Sequence, residues 1–317
     1  MRASVQCATG TTADVPEAWT SCTFAATAWD PSLKRREHAM LAQARVGRAE
    51  QAWSYTSPAG HVTSAWLTLN AWDTEFFGVP MAVLGLEGNV DAVAIDALLP
   101  CVIDYASATG VRHIRTSQRA GEPTVLHGLQ RHGFHVRWAS VQIACDTRAL
   151  SPNPPPCPPG LRFVEATEDH LPDLLAAARC MAPYNWPELE PTLPDAARKR
   201  YLSQRIENCV TTSYANQALV ALWRDKPVGL HASATGTHDS LIDVGRPFAY
   251  VRETFVTPDT PPRLGAHMIR AALHGLRSEA QIVTGRVRLD GRAMLNTALA
   301  SGYDIAGDEL LLSRAAT

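Results

Sequence analysis

The segment SPNPPPCPPG, residues 151–160, places six prolines in ten positions. Proline lacks the backbone donor that helix and sheet both use, so this run is extended and belongs to neither. It divides the 317-residue chain into stretches 1–150 and 161–317, each of ordinary domain size, with the proline run as linker. The two stretches end alike. PTVLHGLQRHGFHV (Pro123–Val136) and RAMLNTALASGYDI (Arg292–Ile305) match position for position. Each reads as a helix stopped by a glycine and an aromatic residue, Gly133-Phe134 and Gly302-Tyr303, with a strand following. Such a repeat predicts two copies of one fold.

The second stretch is the more legible. LRFVEAT reads as a strand, EDHLPDLLAAARCM and ARKRYLSQRIENCV as helices, and QALVALWRDKPVGLHASAT as a hairpin with Asp225-Lys226 at its tip. AYVRETFVT is a strand, RLGAHMIRAALHGL a helix and QIVTGRVRL a strand, before the helix and strand of the repeat. The order β-α-α-β-β-β-α-β-α-β predicts an α/β (α+β) architecture: a mixed, mostly antiparallel sheet with helices on both faces. In the first stretch, residues 36–51 read as a helix. SAWLTLNAW and PMAVLGLE read as strands around WDTEFFG, Asp91–Gly110 as a helix and VRHIRTSQ as a strand. Fewer strands are visible there, which predicts a degenerate N-terminal copy.

One element carries chemistry. In RETFVTPDTPPRLGAHMIRAAL, Arg252–Leu273, the strand run Thr254-Phe255-Val256 stops at Pro258, and Met268, Ile269, Ala272 and Leu273 then recur at helical spacing. A helix entered from a turn points unpaired N–H groups and its positive dipole end forward, an arrangement that favours anions. Gly265 permits close approach of a ligand, whereas Pro261 and Pro262 remove two donors.

Composition excludes several classes. Net charge is −2 and charged residues are 19% of the chain, which argues against a polybasic DNA-binding surface. The short basic clusters LKRREHAM and ARKRYLSQR read as solvated helix faces. Seven cysteines lie at wide intervals without a Cys-x-x-Cys pair, so we expect free thiols of a reducing compartment and no metal site. No run approaches the roughly 20 apolar residues of a membrane span, and the N-terminus lacks a secretory pattern. The expectation is a cytoplasmic protein.

Several motifs together carry a resemblance. They are Trp72-Asp73-Thr74-Glu75-Phe76-Phe77-Gly78-Val79, Tyr201 with Ile206-Glu207-Asn208, Val256 with Pro258, Gly265-Ala266, and the helix from Met294 to Gly302. With the element order, over roughly Leu69 to Arg314, the chain resembles the GNAT acyltransferase superfamily in its tandem form. More narrowly it is similar to the TDP-fucosamine acetyltransferases and related amino-sugar N-acyltransferases. The resemblance implies two GNAT-like domains and transfer of an acyl group from acyl-CoA, such as acetyl-CoA, to a primary amine of a small metabolite. A nucleotide-linked amino sugar is the implied acceptor, and no metal is required.

Carried onto this chain, the strand Glu253–Val256 polarises the thioester carbonyl. Phe255, Val256, Arg263, Leu264, Gly265 and Ala266 hold the cofactor, with Glu253 or His231 as base. Tyr184, Trp186, Tyr201 and Arg292 are the implied acceptor contacts. There are departures from the pattern. Arg263 stands where an earlier glycine of the turn belongs, and the tyrosine that protonates the thiolate falls on Ala298 (Leu129 in the first stretch). Arg292 replaces the asparagine that opens the last helix, leaving Asn296, one turn on, as the polar candidate. Tyr303 reads as a core aromatic, and Trp72, Phe76 and Phe77 as residues of an interdomain contact. Two alternatives stay open: a carrier-bound donor, from an acyl carrier protein or an aminoacyl-tRNA docked on the ARKR helix, or a non-catalytic binding protein. Either a monomer or a homodimer is compatible with this reading.

Overall fold

Twelve strands form one continuous sheet, and the two halves of the chain exchange strands within it. The computed structural model describes residues 49–153, 156–181, 185–235, 247–257 and 260–315, and the backbone of 4–8. The first half runs β1 (Ser4–Ala8), β2 (Gln51–Thr56), β3 (Val62–Leu69), α1 (Ala71–Phe77), β4 (Met81–Gly88), α2 (Ala92–Ala108), β5 (His113–Gln118), α3 (Pro123–Arg131) and β6 (His135–Asp146). Beyond the proline segment follow β7 (Leu161–Glu165), α4 (Leu171–Arg179), α5 (Asp195–Thr211), β8 (Gln217–Trp223), β9 (Lys226–Thr235) and β10 (Phe248–Val256). The chain continues with α6 (Leu264–Leu276), β11 (Ile282–Arg288), α7 (Arg292–Ala300) and β12 (Asp304–Ala315).

The strand order is β1-β2-β3-β4-β5-β12-β6-β11-β10-β9-β8-β7. β12, from the second half, pairs with β5 of the first, and β6, from the first half, pairs with β11 of the second. The sheet is mixed and mostly antiparallel; β4–β5 and β10–β11 are its parallel pairs. Both parallel pairs are short: β4 meets β5 at Met81–Val83, and β10 meets β11 at Phe248–Tyr250. Beyond those residues each pair splays apart.

Side-chain alternation assigns the two faces. On one face α2 and α3 bury Leu98 and Leu129 against Leu67, Leu84 and Leu312. On the same face α6 and α7 bury Ile269, Leu273 and Ala298 against Ile143 and Val283. The opposite face carries α4 and α5, whose Leu174, Leu202 and Ile206 pack on Leu230 and Phe255. It also carries α1, where Phe77 meets Trp186, Tyr201 and Leu311. No helix among the described residues is long and apolar enough to cross a membrane.

Three sequence expectations change. The first half is not short of strands; β2, which opens at Gln51, lies where the predicted 36–51 helix ends, and residues 36–48 lie outside the described residues. The predicted strand SAWLTLNAW ends at Leu69 and WDTEFFG forms helix α1, because the Asn70 side chain accepts from Asp73 N at 3.1 Å and Gly78 closes the helix at φ 64°. The β8–β9 hairpin turns at Arg224-Asp225, one residue earlier than expected, with both residues in the left-handed region (φ 50° and 68°). That pair of angles matches the strand twist.

The halves are stapled at Glu190, which is fully buried. It follows a short 3-10 turn, Trp186–Leu189, in the loop between α4 and α5. From β6, Arg137 Nε reaches its carboxylate at 3.0 Å, Ser313 of β12 donates to it, and His113 of β5 lies 3.5 Å away. Burial opposes ionisation of Glu190, but hydrogen bonds from its neighbours outweigh it and hold the carboxyl at about 2. Trp186 lies against His113 with Arg115 above its ring, so this loop is fixed to the first half of the sheet.

Candidate active site

A cleft of about 1200 Å³ passes through the sheet at the β10–β11 splay and continues across the α5 face into the first half. Its walls on the α6–α7 side are mostly apolar: Val251, Val256, Ile269, Val287, Met294 and Ala298. On the α5 side the lining turns polar and aromatic, with Tyr201, Arg205, Tyr250, Arg252, Glu253 and Arg288 among its residues. The first half contributes Trp66, Arg115 and Ser117.

Backbone irregularity marks the centre of this cleft. β10 pairs with β9 as Val251↔Ser233 and then Glu253↔Ala232, so Arg252 is the extra residue of a β-bulge. Past Tyr250, the edge of β10 facing β11 has no strand partner. That edge borders the cleft, which Val251, Arg252, Glu253, Thr254 and Val256 all line.

Glu253 stands beside the bulge with its side chain 1% exposed. Arg205 Nε engages its Oε1, while the same guanidinium donates to Arg252 O at 2.8 Å and to the Tyr201 hydroxyl at 3.2 Å. Burial raises the Glu253 carboxyl above its ordinary range, against the pull of Arg205. Arg252 is held over the Tyr214 ring at 4.7 Å and donates to Tyr214 O at 3.1 Å.

His231 lies on β9 opposite Thr254, on the α6 side of the sheet. Its Nδ1 is 2.9 Å from Thr254 Oγ1, its Nε2 is buried without a partner, and burial lowers the imidazole to about 4. It is a neutral group near pH 7. Tyr303 is also buried, lines the cleft, and keeps its hydroxyl without a partner; burial holds its phenol well above the usual range.

The turn into α6 shows what the two prolines leave. Arg263 adopts φ 69° and ψ 3°, the left-handed conformation that glycine takes at no steric cost, and no side chain caps the helix. The first intrahelical bond reaches His267 N at 3.1 Å from Arg263 O, so the amides of Gly265 and Ala266 precede the ladder. A Cβ at Gly265 would meet Thr297 and Val256 at 3.5 and 3.6 Å, ordinary contact distances. The fold's own packing does not require glycine there. Helices α6 and α7 contain no carboxylate and expose Arg263, Arg270 and Arg292.

The remaining expected residues divide. Phe255 and Leu264 are core side chains, so only their backbones face a ligand. Trp186 and Tyr201 line the cleft, and Tyr201 stacks on Phe77 at 5.7 Å, joining the two halves. Arg292 and Asn296 sit on the exposed side of α7, away from the cleft lining. Tyr184 lies outside the described residues. Arg198 and Lys199 of the basic α5 cluster both pair with Asp195. Cys101, Cys145, Cys157, Cys180 and Cys209 are free thiols, with Cys145 pushed up to about 12 by burial. Among the described residues no cluster of His, Cys, Asp or Glu is arranged to hold a metal.

The first half has the same splay but not the same site. β4 pairs with β3 without a register shift, so it has no bulge. Trp66 lies directly opposite Gly85, where an added Cβ would meet the indole at 2.1 Å. At the start of α2, Asp91 caps the helix by accepting from Ala94 N at 2.8 Å. A carboxylate now occupies the place where α6 leaves free amides.

No family model and no curated protein matches this chain. Solved structures do match its fold. A GCN5-related N-acetyltransferase from Sphaerobacter thermophilus superposes with a TM-score of 0.54 at 12% identity, over 86% of this chain and 82% of its own. A conserved protein of unknown function from Staphylococcus epidermidis gives 0.55 at 14%, over 79% and 90%. The glucosamine N-acetyltransferase region of a fungal multi-domain β-N-acetylglucosaminidase gives 0.50 at 12%, over 88% of this chain and 34% of that one. The shared property is the fold, that of the GCN5-related N-acetyltransferases.

Proposed function

We propose, for a chain with the fold of GCN5-related N-acetyltransferases, that the β10–β11 cleft transfers an acyl group from a thioester donor to a primary amine. The observation that carries this reading is the splay beside the Arg252 bulge, where β10 parts from β11 beyond Tyr250 at the floor of a cleft lined from both faces of the sheet. The donor enters between α6 and α7. Its anionic nucleotide end meets the uncapped α6 amides and the exposed Arg263 at their entry, which favours coenzyme A over a donor without phosphates.

The amine approaches across the α5 face. Its nitrogen attacks the carbonyl carbon, the C–N bond forms as the C–S bond breaks, and the β10 amides stabilise the oxygen that becomes negative. Glu253 accepts the proton of the amine, its proton affinity raised by burial, and the thiolate takes a proton from water as it leaves. The walls support a choice of acceptor: aromatic rings and paired charges suit a polar ring system, and a nucleotide-linked amino sugar is the first candidate.

Calorimetry with acetyl-CoA, followed by thiol-release assays over a panel of amines, tests the reading. Micromolar binding and amine-dependent thiol release support it. Silence with coenzyme A but turnover with a loaded acyl carrier protein or aminoacyl-tRNA moves the donor to a carrier. Silence with all three leaves a binding protein.

A further inference from the structure

Buried polar groups in folded proteins almost always have partners, because an orphaned donor or acceptor keeps the cost of losing water. Two such orphans line the α6–α7 side of the cleft: His231 Nε2 and the Tyr303 hydroxyl. Their residues are 2% and 3% exposed. They flank one opening from opposite sides. His231 sits on β9, the outer neighbour of β10, and Tyr303 follows α7 over β6, the outer neighbour of β11.

Each is held in place by the protein without being satisfied by it. Thr254 Oγ1 fixes the His231 ring through Nδ1 at 2.9 Å, which leaves Nε2 as the ring nitrogen without a protein partner. Tyr303 is anchored through its backbone, its N–H donating to Ala298 O at 3.2 Å, and its ring belongs to the buried cluster under α6 and α7 that includes Ile143 and Ala298.

We propose that His231 Nε2 and the Tyr303 hydroxyl are hydrogen-bonding anchors for the arm of the thioester donor, one on each flank of the β10–β11 splay. The inference rests on the acyl-transfer reading above and specifies the donor. Its arm must carry polar groups along its length, as the two amides of a pantetheine arm do; a plain hydrocarbon thioester leaves both anchors orphaned. Pantetheine is shared by coenzyme A and acyl carrier proteins, so the two sources are separated by measurement.

The test pairs affinity with stability, because an orphan anchor makes the two move in opposite directions. In Tyr303→Phe the ring remains and the orphan is gone, so the ligand-free protein keeps or raises its melting midpoint. Affinity for coenzyme A, and separately for free pantetheine and a pantetheinylated carrier, falls roughly three- to tenfold. His231→Phe behaves likewise. A structural role for either residue lowers the midpoint and leaves affinity per folded molecule intact, which overturns the proposal. Unchanged affinity in both variants, with wild-type binding intact, also overturns it while the acyl-transfer reading stands; failure of the wild type to bind any of the three probes overturns both. Should His231→Phe fail to fold, nitrogen NMR of the wild-type imidazole replaces it. Saturating coenzyme A must shift Nε2 and leave Nδ1 in place.

Discussion

Replacing Glu190 by glutamine isolates the staple between the two halves. The carboxyl is depressed from an ordinary 4.5 to about 2, which at about 1.4 kcal/mol per pH unit corresponds to about 3 kcal/mol of stabilisation near neutrality. For a depressed acid the sign is fixed. The unfolded chain takes up the proton first as pH falls, so the contribution is whole above the unfolded value and disappears between pH 4.5 and 2. Glu190→Gln also leaves the Arg137 guanidinium, 3.0 Å away, without a counter-charge, and breaking a buried pair on one side costs about 3–5 kcal/mol. The variant is therefore expected to lose about 3 kcal/mol at pH 7, with the deficit shrinking steadily at pH 4 and pH 3. Urea titrations followed by tryptophan fluorescence measure this directly, since Trp186 sits in the same loop. A deficit that stays constant from pH 7 to pH 3 would refute the charge argument, and a deficit below about 0.5 kcal/mol, the scale of an ordinary surface change, would refute the staple itself.

Other outcomes follow from the site and the sheet. Glu253→Gln is expected to lower kcat roughly 10²- to 10⁴-fold while coenzyme A affinity stays intact; in the wild type the acid limb of the kcat/KM profile lies above the ordinary glutamate range, because burial raises that carboxyl. An acid limb at the ordinary value, or full turnover in the variant, removes Glu253 as base. Arg263→Gly relieves a left-handed non-glycine residue (φ 69°), a gain of about 1–2 kcal/mol partly offset by about 0.5–1 kcal/mol of glycine entropy. Its midpoint in thermal denaturation should hold or rise slightly while coenzyme A affinity falls, and unchanged affinity would exclude Arg263 from the donor site. A chain of residues 161–317 lacks β6, which stands between β11 and β12; size-exclusion chromatography should show self-association or aggregate, and a cooperative monomer would contradict the exchange.

Much of the second half was legible because its signals are local. Glycine and proline punctuate each element, and Met268, Ile269, Ala272 and Leu273 pack where their spacing predicts. The strand exchange was not legible, since the alternation in ELLLSR says that a strand exists and nothing about which strand lies beside it. β2 was missed because QAWSYT is only six residues long and follows a stretch rich in helix formers. At the site, the resemblance named Glu253, whereas Arg205, its partner 48 positions away, carried no signal in the sequence. Glu190 and Ser313, 123 positions apart, carried no signal in either local sequence. Tyr303 read as a core aromatic, and it is one; what the sequence hides is that its hydroxyl has no partner.

The exchange also ties an altered first half to the cleft of the second. Its splay is blocked as a donor site at separate points: the regular β3–β4 ladder, the Trp66 ring on Gly85, and Asp91 over the α2 amides. None of these affects what the first half gives to the other cleft. β6 supplies Ile143 beneath the splay and Arg137 to the staple, and α1 supplies Phe77, against which Tyr201 stacks. Tyr201 in turn accepts from Arg205, which engages Glu253. A chain of contacts thus runs from the first half to the carboxylate beside the bulge. Blocking the first splay leaves those contacts in place, whereas removing the first half would remove the wall, the staple and the support of the proposed base together.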